Sequence, residues 1–271
     1  PGRQLIIKIF KNLNMSPYKK AQFSQRIEHL SVLKDSSLRI PIFFGEQNPN
    51  CYIVYDYFDG VSLNNFVKNN RKIPLNIFLD VACKLAEAVD KVHQGGIIHG
   101  GIKPKNILIN TGNLDIALID FISTVDVRDV SHFIYDNSFI RETLCYTSPE
   151  QTGRISHQVN FSSDLYSLGV IFYEMLTGRV PFLSGDPLEL IHSHLAEEAL
   201  PVNKINRDIP SPLGSIIGKL LQKEPEKRYQ SSASLLFDLK HCREEYLTTG
   251  TIQEFPLEQG FRSQRVNFIS K

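Results

Sequence analysis

The sequence has almost no surplus charge: 30 Lys and Arg stand against 29 Asp and Glu, a formal net charge of +1 over 271 residues. That balance supplies no field to steer nucleic acid or to hold a membrane surface. No apolar run is long enough to span a bilayer. The first residues, PGRQLIIKIF, lack the long apolar core of a signal peptide. Cysteine is scarce and scattered, at Cys51, Cys83, Cys145 and Cys242, with no C-x-x-C spacing. A zinc site or disulfide framework is therefore not expected, and reduced thiols in a cytoplasmic protein are. Internal repeats and low-complexity tracts are absent. What is present is 42% apolar and 22% charged residues, enough for a sizeable core in one two-lobed domain or two small ones.

The most informative stretch is Ile97 to Asn110, IIHGGIKPKNILIN, followed by LIDF at Leu118 to Phe121. Thr111-Gly112-Asn113 turns one short apolar run back into the next, which ends on Asp120. The hairpin would bring Lys103, Asn106 and Asp120 together. A lysine, an amide oxygen and a carboxylate converging in this way suit a phosphate with its magnesium ion. The stretch resembles the catalytic and metal-binding loops of protein kinases, H-R-D-L-K-P-x-N-I-L followed by D-F-G. His99, Lys103, Asn106 and Asp120 match. The Arg is Gly100, the Asp that would accept the substrate's proton is Gly101, and Asp120-Phe121-Ile122 replaces D-F-G.

Further matches surround this centre. QLIIKIF, Gln4 to Phe10, reads as a strand whose Lys8 is either a solvated edge charge or the phosphate-pairing lysine of V-A-I-K. The resemblance implies the second, with Ile6 where the family has Ala against the adenine. The Gly-rich loop would lie before residue 1, so a fragment of a longer protein is expected. Tyr18 to Lys34 has helical apolar spacing at Phe23, Ile27, Leu30 and Leu33. In F-x-x-E-I, here FSQRI, the Glu that pairs with the strand lysine becomes Arg26, so two cations would face each other. Glu28 is two positions on, about 200° round the helix. Strands are expected at Arg39 to Phe44 and Cys51 to Phe58, with a turn at Gly45 to Asn50. CYIVYDYFDGVSL resembles the kinase hinge, with Tyr55 as gatekeeper and Asp56 to Phe58 offering backbone to the adenine. Leu108 is assigned to the same nucleotide site.

Leu75 to His93 carries a helical apolar stripe that reads as core. Phe121 to Glu150 corresponds to an activation segment, ending in TLCYTSPE, similar to T-x-x-Y-x-A-P-E at Thr143, Pro149 and Glu150. Ser131, Ser138 and Thr143 are phosphorylatable, but the Arg that would read a phosphate is the residue replaced by Gly100. SSDLYSLGVIFYEMLTGRVPF, Ser162 to Phe182, closely resembles the kinase helix from D-x-W/Y-S-L-G to G-x-x-P-F. There Asp164 would anchor the catalytic-loop backbone, after a cap-like Ser-Ser-Asp. Helices are expected at Leu213 to Leu221 and Ser232 to His241, and Arg228 is matched to the partner of Glu150.

The expected fold is α+β and bilobal: a small β-rich N-lobe incomplete at its start (residues 1–58), a larger mainly helical C-lobe (59–246) and a linker (247–271). SPEQTGR, PEKRYQS and the tail with Phe255-Pro256-Leu257 and Phe261 to Phe268 are similar to kinase-like domains of large multidomain signalling proteins. The resemblance implies ATP and Mg2+ as ligands. It implies as partners ATPase-like and sensor domains that follow in the same polypeptide, and proteins of a phosphorelay headed by a histidine kinase. Neither nucleic acid nor membrane is expected. The primary expectation is a cytoplasmic regulatory module with weak or no protein phosphotransfer. The alternative is an active serine/threonine kinase in which Asp126 or Asp129 enters the site. A small-molecule phosphotransferase is a third reading, against which the SPEQ segment and the Asp164 helix argue.

Overall fold

β-branched and aromatic residues build the smaller lobe. In the computed structural model, which describes residues 2–11, 17–47, 50–70, 73–121 and 142–259, strand β1 is Leu5–Phe10. It pairs antiparallel with β3, Asn50–Asp56, which also pairs with β2, Phe43–Gln47. The sheet order is β1-β3-β2, and Lys8 stands opposite Ile53. Helix α1, Pro17–Leu30, packs on this sheet, with the Phe23 ring 5.2 Å from that of Phe44.

Three boundaries in this lobe differ from expectation. The strand expected at Arg39 to Phe44 starts only at Phe43, because the residues before it are engaged elsewhere. The Arg39 N–H donates to the Leu118 carbonyl at 2.9 Å, and the Leu118 N–H to that of Ser37 at 2.8 Å. Pro41 has no N–H to contribute to a ladder. Gly45, read as the start of a turn, lies inside β2 opposite Tyr52. Helix α1 ends at Leu30, and Leu33 is buried in the turn that follows.

The chain crosses into the larger lobe after Asp56. Strand β4, Val61–Ser62, is followed by α2, Leu63–Asn69, where the Ser62 side chain caps the helix by accepting from the Asn65 N–H. Helix α3, Leu75–Gln94, buries its whole predicted stripe, Phe78, Val81, Ala82, Leu85, Ala88, Val89 and Val92. Strands β5, Ile107–Ile109, and β6, Ile116–Leu118, form the predicted hairpin. They join β4 in a three-stranded sheet rather than a two-stranded ribbon.

Helix α4, Phe161–Thr177, is the centre of the lobe. Its cap is Asn160, whose side chain accepts from the Ser162 N–H, so Ser162-Ser163-Asp164 forms the first turn and not the cap. At Gly169 a Cβ would stand 2.7 Å from Leu220 Cβ, so only glycine lets α4 lie this close to the helix there. Around it are α5, Pro187–Ala196; α6, Val202–Ile205; α7, Ser211–Leu220; and α8, Ser232–Thr249.

The two-lobed α+β architecture is as expected, but the linker boundary is not. Residues 247–249 belong to α8, and the chain then folds back over α7 and α8. Ile252 is buried, the Phe255 ring lies 4.4 Å from that of His241, and buried Glu258 pairs with Lys219 at 2.5 Å. The Glu258 N–H also donates to Asp238. Polar, weakly periodic residues hid this packing because it works through scattered side chains. Residues 260–271, with the whole of the segment from Phe261 to Phe268, lie outside the described residues.

Arg228 and Glu150 form a fully buried pair, Nη1 to Oε1 at 2.7 Å and Nη2 to Oε2 at 2.9 Å. Ser163 Oγ also donates to Glu150 at 2.6 Å. Burial works against the charged carboxylate, but the Arg228 guanidinium and Ser163 outweigh it and hold its pKa below the ordinary value. The unfolded chain therefore binds this proton more readily, and the pair's contribution to stability is lost as pH falls through and below the usual Glu range. Arg228→Ala should cost about 3–5 kcal/mol because it strands a buried carboxylate. Urea unfolding at neutral pH checks this, and a loss under 1 kcal/mol, on the order of a surface ion pair, would contradict it.

Candidate functional site

The candidate site lies where the lobes meet, and a buried carboxylate sets its backbone. Asp164 on α4 accepts from the His99 N–H at 2.9 Å and the Gly100 N–H at 2.8 Å. His93 Nε2 lies 2.9 Å from the same carboxylate, and its Nδ1 is 2.6 Å from Ser232 Oγ. Asp164, 1% exposed, thus ties α3, α4 and α8 to the loop, the anchoring role expected for it. Gly100 sits at φ 70°, a conformation that strains a residue bearing a Cβ.

His99 is fully buried, and its partners fix its tautomer. Nε2 must donate to the Ile119 carbonyl at 3.1 Å, and Nδ1 must accept from the Gly101 N–H at 3.3 Å. Burial lowers its pKa, which keeps the ring neutral. Asn106 closes a short 3-10 turn, Pro104–Asn106, and its Nδ2 donates to the Gly101 carbonyl at 2.9 Å. Its own carbonyl accepts from the Ile119 N–H at 2.9 Å, which sets the metal loop beside it.

Lys103 donates to Thr143 Oγ1 at 2.9 Å, and burial lowers its pKa. Beneath Gly101 is a hollow of about 20 Å³, lined by Lys103, Asn106, Thr143 and Gln151 among others. It has room for one water molecule, and no carboxylate lines it among the described residues. Among the described residues, the carboxylates whose charges reach Lys103 are Glu142 and Asp120. Each is ion-paired with another lysine, Glu142 with Lys105 at 2.5 Å and Asp120 with Lys8 at 2.9 Å. Asp126, Asp129, Ser131 and Ser138 lie outside the described residues.

The Lys8–Asp120 pair connects the lobes directly. Two cations facing each other was the expectation for Lys8 and Arg26; the structure separates their partners. Arg26 Nε donates to the Phe121 carbonyl at 2.8 Å, one residue beyond Asp120. The strand lysine thus takes the loop aspartate in place of a helix glutamate. Asp120 has φ 69°, an uncommon backbone for a non-glycine residue, and Phe121 is buried with its ring 4.7 Å from that of His99.

On the hinge side, Tyr55 is buried opposite Ile6. Burial raises its phenol pKa, and its hydroxyl has no hydrogen-bond partner. The Asp56 carboxylate turns to Arg3, at 2.6 and 2.7 Å, and the Tyr57 N–H donates to the Gln4 carbonyl at 3.1 Å. Phe58 carries the Arg39 guanidinium over its ring at 5.0 Å, and Leu108 is half-buried in β5, opposite Ala117.

Among the described residues no group of three or more His, Cys, Asp and Glu side chains is placed to hold a metal ion. Asp120 with Asn106 nevertheless suits magnesium, which takes one or two protein ligands and completes its shell with water and phosphate oxygens. Lys8 already holds one oxygen of Asp120, Oδ1, at 2.9 Å. When bound, the ion would neutralise charge on the phosphates.

Two contacts were missed in the sequence. Gln151, noted only within SPEQTGR, donates to the Gly100 carbonyl at 2.8 Å and closes a capping box with Ser148. The S-x-x-Q spacing was the available signal for the box. The Arg26 contact with Phe121 carried no sequence signal, since a main-chain carbonyl accepts from any donor.

Two lobes meeting beside Asp56, with a lysine, an asparagine and an aspartate at their junction, define the class as a protein-kinase-like domain. The chain matches the protein kinase domain over residues 2–238. It is 33% identical to a probable serine/threonine-protein kinase of Clostridium perfringens over 224 residues, 83% of this chain and 32% of the relative. It is 30% identical to the serine/threonine-protein kinase PknB of Mycolicibacterium smegmatis over 247 residues, 89% of this chain and 39% of that one. The chain belongs to the protein kinase domain family, and it spans about a third of the length of the curated relatives it matches. No described helix is long and apolar enough to cross a membrane.

Asp164→Asn keeps the shape and removes the charge that two backbone N–H groups share. Stability should fall by about 1–3 kcal/mol, on the order of a charged hydrogen bond lost in a buried place. The His99 and Gly100 amides should lose hydrogen-exchange protection by more than the global change. Unaltered protection of those two amides would contradict the anchoring role.

Proposed function

We propose that this domain is a regulatory kinase-fold module that binds a nucleotide and transfers phosphate to protein weakly or not at all. The observation that carries the reading is the hollow beneath Gly101, which has no carboxylate among the described residues of its lining. A positioned general base is worth about 10²–10⁴-fold in rate. Glycine can neither accept the hydroxyl proton nor orient the attacking oxygen. Positioning and charge stabilisation carry most of phosphoryl transfer, so Lys103 and Asp120 leave room for slow residual turnover.

In this reading ATP occupies the cleft between Leu108 and the hinge at Asp56 to Phe58. Lys8 contacts phosphate, and Asp120 with Asn106 holds Mg2+ when it is present. The domain acts by contact with ATPase-like and sensor domains that follow in the same cytoplasmic polypeptide, as part of a phosphorelay headed by a histidine kinase. The charge balance of +1 supports a partner that is neither nucleic acid nor membrane.

One observation favours a second reading, an active serine/threonine kinase. Lys103 and Thr143 are joined at 2.9 Å, so the part of the site that faces an incoming hydroxyl is assembled. The relatives named above carry that activity in their names.

The whole chain, given labelled ATP and a general protein substrate, separates the two. Slow or absent transfer is expected from the wild type. Gly101→Asp alone should recover much less than the roughly 10²–10⁴-fold that a positioned base supplies, because Lys8 still occupies Asp120 and Arg26 remains in the helix. Robust transfer by the wild type, or full recovery by that single change, overturns the regulatory reading.

A further inference from the structure

We propose that the groove lined by Arg3, Lys34 and Arg39 is a docking site for an acidic peptide segment of a partner protein. The groove, about 870 Å³, lies between the residues that lead into β1, the loop that follows α1, and Asp56 and Tyr57 at the end of β3. Leu33, Leu38 and Ile40 line it together with the three cations. Its two carboxylates are already engaged. Asp56 takes Arg3 at 2.6 and 2.7 Å. Asp35 takes Lys91 at 2.8 Å and the Ser37 hydroxyl at 2.6 Å. Lys91 thus cancels the Asp35 charge from outside the lining. Among the described residues neither Lys34 nor Arg39 is ion-paired. Arg39 is held in place by neutral groups. Its Nη1 donates to the Ser36 and Leu38 carbonyls at 2.8 and 3.3 Å, and its guanidinium lies over the Phe58 ring at 5.0 Å.

The distribution of charge along the chain gives the sign of the occupant. Residues 1–58 carry eight Lys and Arg against four Asp and Glu, whereas the rest of the chain carries 22 against 25. The net charge of +1 therefore combines a basic small lobe with an acidic remainder, and an acidic partner is drawn to the first. The mixed lining decides its kind. Nucleic acid presents an unbroken line of phosphates, which Asp35 and Asp56 would repel. A peptide can alternate carboxylates with apolar side chains, meeting Lys34 and Arg39 with the one and Leu38, Ile40 and Tyr57 with the other. The volume falls within the range of sites that enclose a small ligand, enough for a short segment. A partner seated here touches the chain where it leaves β3 to cross between the lobes.

Fluorescence anisotropy of a labelled hexapeptide alternating glutamate and leucine, titrated with the whole chain, tests this. The peptide should bind, and binding should weaken as salt is raised, because exposed charges are screened. The same peptide with glutamine in place of glutamate should bind about tenfold more weakly, the sum of a few exposed charge contacts. Lys34 is exposed, so Lys34→Glu leaves the fold intact. It should weaken the acidic peptide about tenfold, since a repulsion replaces an attraction. Lys204→Glu, at an exposed position of the larger lobe, should leave binding unchanged. Absence of binding, equal binding of the glutamine peptide, or equal affinity of wild type and Lys34→Glu overturns the proposal. An equal loss with Lys204→Glu does so too. Tighter binding of a single-stranded oligonucleotide, lost with Lys34→Glu, overturns it in favour of nucleic acid. Every readout is taken without nucleotide, so failure here leaves the nucleotide-binding reading intact.

Discussion

The Asp164 carboxylate is the constraint on which the rest of the site depends. It lies buried at the start of α4 and accepts from two consecutive backbone N–H groups of the loop that carries His99, Gly100 and Gly101. Loss of the Arg and Asp side chains normally found in such a loop therefore does not release it. From that fixed backbone follow the placement of Lys103 on Thr143, of Asn106 on the Gly101 carbonyl, and of the neutral His99 ring against Phe121. The Arg228–Glu150 pair does similar work further down the C-lobe, holding the SPEQ turn whose Gln151 reaches back to Gly100. Neither carboxylate performs chemistry. Both hold the backbone around Lys103, Asn106 and Gly101 in place.

At the junction of the lobes the charge pattern is rearranged rather than erased. A lysine normally shared with a helix glutamate is given to the loop aspartate, and an arginine occupies the glutamate's position. The like charges do not meet, because each finds a separate acceptor on neighbouring residues, the Asp120 side chain and the Phe121 carbonyl. On the reading proposed above, the described residues of this cleft suit holding a nucleotide better than spending it.

Much of this was legible in the sequence because it rests on local patterns. The hairpin around Thr111 to Asn113, the α3 stripe and the Gly178 stop of α4 each follow from spacing and turn chemistry within a few residues. The buried Arg228–Glu150 pair spans 78 residues and came only through resemblance to a family. Less legible were features decided by tertiary competition. Arg39 pairs with Leu118 instead of extending β2, and Asn160 caps α4 ahead of the serines that looked the part. The tail past Tyr246 folds onto α7 and α8 through Ile252 and Glu258, two side chains too far apart to make a periodic signal. At the site, the glycine at position 101 and the arginine at position 26 were legible as departures from a family pattern. The acceptor that Arg26 finds was not legible, since that acceptor is main chain.

The central claim is that this cleft holds a nucleotide whose terminal phosphate it does not move. Phosphorus NMR of ATP mixed with a stoichiometric amount of the whole chain and magnesium tests it most directly. The account predicts three nucleotide resonances shifted by binding, with the γ-phosphate signal persisting over hours. Shifted signals that convert within minutes to bound ADP and a phosphorylated side chain would contradict it.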